Sequence, residues 1–172
     1  MDHEDGVIEG QNNLKTYITQ FYKELFGEHE NSHFSLAEEW IQDIPQVTRE
    51  ENNILSSPFS EKEIKDAIFQ MERNKAPGPD GFRAVFYQKF WDIIKYDMLQ
   101  MFEGLYRCDM PLFSLNFDVI TLIPKVQDAN LIQQYRPICL LNVSYKIFTK
   151  VATNRLNLVA DKIVNPTQTA FM

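Results

Sequence analysis

The chain has 172 residues, 44% of them hydrophobic and 24% charged, an ordinary balance for one folded domain with a real core. Its net charge of −7 argues against a simple nucleic-acid binder, and no apolar run is long enough to span a membrane. The acidic start M-D-H-E-D-G lacks a charged-then-apolar signal pattern, so a soluble intracellular chain is expected. The average hides an asymmetry: residues 1–72 carry 16 acidic and 5 basic side chains, residues 73–172 carry 8 and 12. Anion contacts, if any, belong after residue 73. Cys108 and Cys139 have no second Cys or His at metal-ligand spacing, so both are expected to be reduced and packed inside.

In chain order, Leu14, Tyr17, Ile18, Phe21, Tyr22, Leu25 and Phe26 recur at helical spacing. Asn12 or Asn13 can cap that helix and Gly27 can end it. Residues 28–34 read as a polar loop, followed by short helices near 35–43 and 48–55 with Pro45 between them. Ser60 and Glu63 make an S-x-x-E capping box before the stripe Ile64, Ala67, Ile68 and Met71. Residues 74–82, N-K-A-P-G-P-D-G-F, interrupt the helical pattern. It resumes with Val85, Phe86, Phe90, Ile93 and Ile94 and continues, after a break near 95–97, through Met98, Met101, Phe102 and Leu105. At 117 the period changes: F-D-V-I-T-L-I-P and Y-R-P-I-C-L-L read as two antiparallel strands joined by a long turn-rich connection. Ser144 can cap a last helix whose inward residues are Phe148, Val151, Ala152, Leu156 and Val159, with Asn165-Pro166 ending it.

Three patterns bear on chemistry. H-E-N-S-H at 29–33 matches the H-E-x-x-H pattern of zinc peptidases, but it follows Gly27 and has no apolar helical flank, so a surface loop is the expectation. A nucleophilic triad has no support, because all three His precede residue 34 and no G-x-S-x-G elbow exists. The Pro/Gly segment lacks the G-K-[ST] of a phosphate-binding P-loop. It reads first as a stiff turn, with Pro77-Gly78 suited to a type II turn and Asp80-Gly81 opening the next helix; phosphate binding by its backbone N–H groups is the alternative. Lys125 and Arg136 bracket the strand connection. A guanidinium and an ammonium at one hairpin end suit a polyphosphate or a nucleic-acid backbone, and equally suit two solvated charges.

N-K-A-P-G-P-D-G-F, F-Y-Q-K-F-W at 86–91, V-I-T-L-I-P-K at 119–125, Y-R-P-I-C-L-L-N-V-S-Y-K-I-F-T-K at 135–150, N-R-L-N at 154–157 and P-T-Q-T-A-F at 166–171 occur in that order. Together they resemble the N-terminal part of a non-LTR retrotransposon reverse transcriptase, most of all the long-interspersed-element type of plants. The upstream I-E-G-Q-N-N-L-K-T-Y-I-T-Q-F-Y-K-E-L-F-G resembles the segment joining endonuclease to polymerase in such elements. The resemblance implies an α+β, mainly helical fold: part of a right-hand polymerase, the fingers with one antiparallel β-hairpin, and no palm. An acidic N-terminal helical extension would occupy 1–59 and the incomplete polymerase region 60–172. It implies triphosphate contacts for Arg136 first and Lys125 second, and template contacts for Lys75, Gly78 and Gly81.

Nucleotidyl transfer needs carboxylates holding two Mg²⁺. The family places them in motifs beyond the T-A-F segment, and no Asp-Asp pair occurs in these 172 residues. Asp118 stands before the hairpin and is read as a strand edge. The expectation is a truncated, inactive fragment without catalytic residues, metal or cofactor, Mg²⁺ belonging only to the intact polymerase. RNA template and dNTP are the implied partners of the intact enzyme, with a nuclear or cytoplasmic location. The fragment would keep weak RNA binding and self-associate through an uncovered apolar face of the last helix. The competing expectation is a non-catalytic RNA- or protein-binding module derived from the element.

Overall fold

The computed structural model describes residues 1–3, 6–27, 45–111 and 115–164. The H-E-N-S-H motif, the helix expected near 35–43 and the T-A-F segment lie outside them. The chain forms two compact units, Met1–Ala37 with Ile120–Ile138 and Glu38–Val119 with Cys139–Met172. Among the described residues, no helix is long and apolar enough to cross a membrane. The described residues are mainly helical, with two small two-stranded sheets.

In the first unit, β1 (Asp2–His3) pairs antiparallel with β2 (Gly6–Val7), and α1 (Gln11–Leu25) follows. The Asn residues do not cap α1. Gly10 stands at the N-cap, and the Asn13 amide donates back to the Glu9 carbonyl at 3.0 Å. Tyr22 is the buried residue of this helix. Between α1 and Ile120 and Leu122 lies an apolar cavity of about 730 Å³ with Lys15 and Lys23 in its wall.

The second unit carries the larger core. Its helices among the described residues are α2 (Arg49–Leu55), α3 (Glu61–Gln70), α4 (Ala84–Lys89), α5 (Trp91–Tyr106) and α6 (Val143–Ile163). The capping box forms as the sequence predicts: the Glu63 N–H donates to Ser60 Oγ, and the Ser60 N–H donates to Glu63 Oε2 at 2.9 Å. Thr48 and Glu51 build a second box at the start of α2. Ile64, Ala67 and Ile68 are fully buried against Trp91, Met98 and Phe102 of α5 and Val143, Ile147 and Val151 of α6. Each large apolar side chain so buried contributes roughly 1.5–3 kcal/mol. At the end of α3 the Gln88 amide N–H groups donate to the Ile68 and Met71 carbonyls, both at 2.9 Å.

Two helical stripes differ from expectation. The break falls at Phe90, between α4 and α5, rather than at 95–97, and Ala84, Tyr87 and Trp91 turn inward while Ile93 is 74% exposed. In α6 the buried stripe is Val143, Ile147, Val151, Arg155 and Val159, so Leu156 faces out.

Arg155 explains why a charge interrupts that stripe. Nε donates to Glu63 Oε1 at 2.6 Å and Nη2 to Glu63 Oε2 at 3.0 Å. Nη1 donates to the Leu55 and Ser57 carbonyls and Nη2 to that of Pro58, so every guanidinium N–H has an acceptor. The plane lies 4.4 Å from the Phe59 ring centroid. Two turns on, Lys162 reaches Glu51 at 2.8 Å. Each capping-box glutamate is thus also held by a cation from α6, which ties both short helices to it.

Arg155 and the Ser60 N–H hold the Glu63 carboxyl at about 2, below its ordinary 4.5. The folded value is the lower one, so this stabilisation is whole above pH about 4.5 and is lost as pH falls toward about 2. The Glu63 side chain is 35% exposed, so screening keeps the contribution near 1–2 kcal/mol. Urea unfolding of wild type and Glu63→Gln checks this: the gap between them should be full at neutral pH and nearly closed at pH about 2. A gap independent of pH would contradict the assignment.

Candidate nucleic-acid interface

Strands β3 (Asp118–Pro124) and β4 (Tyr135–Leu141) hydrogen-bond to each other. The Lys125 N–H donates to the Gln134 carbonyl at 2.7 Å, setting the end of β3 beside the start of β4, an antiparallel hairpin. The 125–134 connection is held by its own bonds. Lys125 Nζ donates to the Gln133 carbonyl at 2.8 Å. Gln134 Oε1 accepts the Asn130 and Leu131 N–H groups at 2.8 and 3.1 Å. The Tyr135 hydroxyl donates to the Ala129 carbonyl at 2.7 Å. A 3₁₀ turn at Ile132–Gln134, absent from the sequence reading, buries Ile132 in this unit.

The hairpin brings Lys125 and Arg136 together on one element, in different situations. Lys125 braces the connection through its side chain. Arg136 is exposed and makes no ion pair with another described residue. A guanidinium and an ammonium on one hairpin are groups whose donors phosphate oxygens match.

Lys75, Gly78 and Gly81 belong to the other unit, on the loop between α3 and α4. The turn is two residues later than the sequence suggests. The Gly81 N–H donates to the Gly78 carbonyl at 3.0 Å, leaving Pro79 and Asp80 as the central pair. Asp80 does not open the helix; its carboxylate accepts the Phe82 N–H at 3.0 Å, and α4 starts after Arg83. Gly81 has φ of 77°, in the left-handed region. Gly78 lies so close to the chain between β4 and α6 that a Cβ there would stand 2.4 Å from the Asn142 N.

The loop is pinned to that junction. Asn142, rather than Ser144, is the N-cap of α6, and its side-chain oxygen accepts the Asp80 N–H at 3.1 Å. Ser144 instead hydrogen-bonds Tyr87, whose phenol is raised above its usual value by burial and by the Asp80 charge. Lys75 forms an exposed pair with Glu72 at 3.1 Å, a contact of little energetic weight.

Asp118 opens β3 and accepts from the Cys139 thiol; that hydrogen bond raises the thiol above its ordinary value. Both cysteines are free, as expected, but exposed instead of packed, because their positions face outward on an edge strand and after a helix end. Among the described residues, no three His, Cys, Asp or Glu side chains converge to hold a metal ion. These residues supply no carboxylate set for magnesium, and no step through it follows from them.

No family model matches the chain. It is 32% identical over 167 residues to the Transposon TX1 uncharacterized 149 kDa protein of Xenopus laevis, an alignment covering 96% of this chain and 13% of that protein. The similarity supports a transposon origin. The chain thus corresponds to a small part of the length of this transposon-encoded relative.

Sequence reasoning missed Arg155 as a buried keystone, although its spacing of four from Val151 on a helix was a usable signal. It also placed Phe90 in the helical stripe with Phe86, whereas Phe90 is left exposed.

Proposed function

We propose that this chain is the N-terminal extension and fingers part of a non-LTR retrotransposon reverse transcriptase domain. The observation that carries this reading is the ordered motif series from N-K-A-P-G-P-D-G-F to Y-R-P-I-C-L-L, over a chain whose relative is transposon-encoded. Its assignment to the plant long-interspersed-element type rests on those motifs alone. In this reading Arg136, exposed on β4, meets the triphosphate of an incoming nucleotide, with Lys125 beside it. Lys75 and the Gly81 turn meet the template backbone, and Gly78 holds their loop in place. Nucleotidyl transfer itself belongs to aspartates that these 172 residues lack.

Two measurements test it. The purified chain should bind single-stranded RNA weakly, and Lys125→Ala with Arg136→Ala should lower the slope of log affinity against log salt by about 1–2. Binding indifferent to both substitutions would instead favour a protein-interaction module. The exposure of Val119, Ile120 and Ile123 along β3 and of Val126 just beyond it speaks for that second reading. With template, primer, dNTP and Mg²⁺, the chain should incorporate nothing above background; Mg²⁺-dependent extension would overturn the fragment reading.

A further inference from the structure

Phe82, Phe86 and Phe90 form a ladder in which the middle ring is half-buried against the core and the outer two are exposed. Adjacent ring centroids are 4.5 and 5.1 Å apart, with the planes tilted by 38° and 48°. Phe82 and Phe90 remain 46% and 44% exposed. Nearly half-exposed aromatics in a row cost solvation without completing a core. Here they sit on a scaffold fixed underneath, since Ala84, Tyr87 and Trp91 are buried on the inward side of the same segment.

The surrounding charge indicates what would cover them. Lys89 lies one turn after Phe86 on the same helix, and Arg83 directly follows Phe82 in the chain as the extended N-cap residue, so the two cations flank the ladder in sequence. Both are exposed and neither pairs with a described carboxylate. An apolar protein partner gains nothing from two unpaired cations flanking the rings. A polyanion with stackable bases uses both features, because aromatic faces take bases while cations follow the phosphates.

We propose that Phe82, Phe86 and Phe90, with Arg83 and Lys89, form a stacking platform for single-stranded RNA. It rests on the reading of the chain as part of an RNA-handling domain, but uses none of the residues assigned there.

The test is fluorescence anisotropy with a labelled oligouridine of about 12 nucleotides, single-stranded or annealed into a duplex. Phe82→Leu with Phe90→Leu should weaken single-strand binding about tenfold and leave the salt slope unchanged. Arg83→Gln with Lys89→Gln should instead lower that slope by about 1–2. The duplex, whose bases are already stacked, should bind more weakly and ignore the Phe substitutions. Phe82 is not packed against the buried core, so Phe82→Leu alone keeps the test valid if the double variant unfolds. Unchanged single-strand affinity in the Phe variants overturns the proposal, as does a complete lack of binding by wild type at about 50 mM salt. Lost self-association in sedimentation without lost RNA binding overturns it too, making the ladder a contact between copies. Repeating the Phe substitutions in a Lys125→Ala, Arg136→Ala background separates the two readings: a ladder effect that persists while the hairpin changes do nothing removes only the hairpin assignment.

Discussion

Arg155→Met should destabilise the second unit by about 3 kcal/mol, toward the lower end of the range for breaking a buried pair from one side. Methionine fills much of the space, so the loss measures bonding rather than volume. It strands the Leu55, Ser57 and Pro58 carbonyls and leaves Glu63 without its cation. Glu63 keeps its capping role and some water contact, which holds the figure below the extreme. In thermal unfolding the midpoint should fall by roughly 6–12 °C. Arg155→Lys should recover only part of this, since an ammonium cannot form the two-pronged contact with Glu63 and reach three carbonyls as well. A Met variant within about 0.5 kcal/mol of wild type, the ordinary range for a surface change, would show that the network does not hold these helices.

Gly78→Ala should cost about 2–3 kcal/mol or more, the scale of overpacking into structure that cannot yield. The atoms a methyl would meet are the Asn142 N, the Leu141 carbonyl carbon and the Asn142 Cα, at 2.4, 2.5 and 2.6 Å, all backbone. The loop must lift, giving up the Asp80 to Asn142 bond and the 3.4 Å contact from Lys146 Nζ to the Ala76 carbonyl. Gly81→Ala is the contrast. A Cβ there meets open space, so only the left-handed backbone is penalised, by about 1–2 kcal/mol. Urea unfolding of both variants checks the order. Equal losses, or a larger loss at Gly81, would mean that the close approach at Gly78 does not anchor the loop.

The local devices of this chain could be read from the sequence. The Ser60–Glu63 box, the two hairpin strands and the stripe of α3 rest on interactions within a few residues, and such interactions are written into spacing. The same holds for Lys125 and Arg136 sharing one hairpin, because strand pairing follows from two β-branched runs and the connection between them. Stripes in α4, α5 and α6 shifted because an amphipathic segment with apolar residues on several sides does not specify which side meets a neighbour. Ile93 and Leu156 face out and Trp91 and Arg155 face in because α3 occupies one direction and not another.

Sequence by itself determined the Ser60–Glu63 capping box and the two strand segments of the hairpin, both set by short-range hydrogen bonds and side-chain branching. Only the tertiary structure decided that a guanidinium is a core residue, that one glycine of the Pro/Gly loop is a contact point while the other is a bend, and that Phe82 and Phe90 are left exposed while Phe86 packs on the core. Those outcomes depend on partners 60 to 100 residues away, as for Asp80 with Asn142 and Arg155 with Leu55. Contacts at such separations form only when the whole unit packs, and no local pattern carries them.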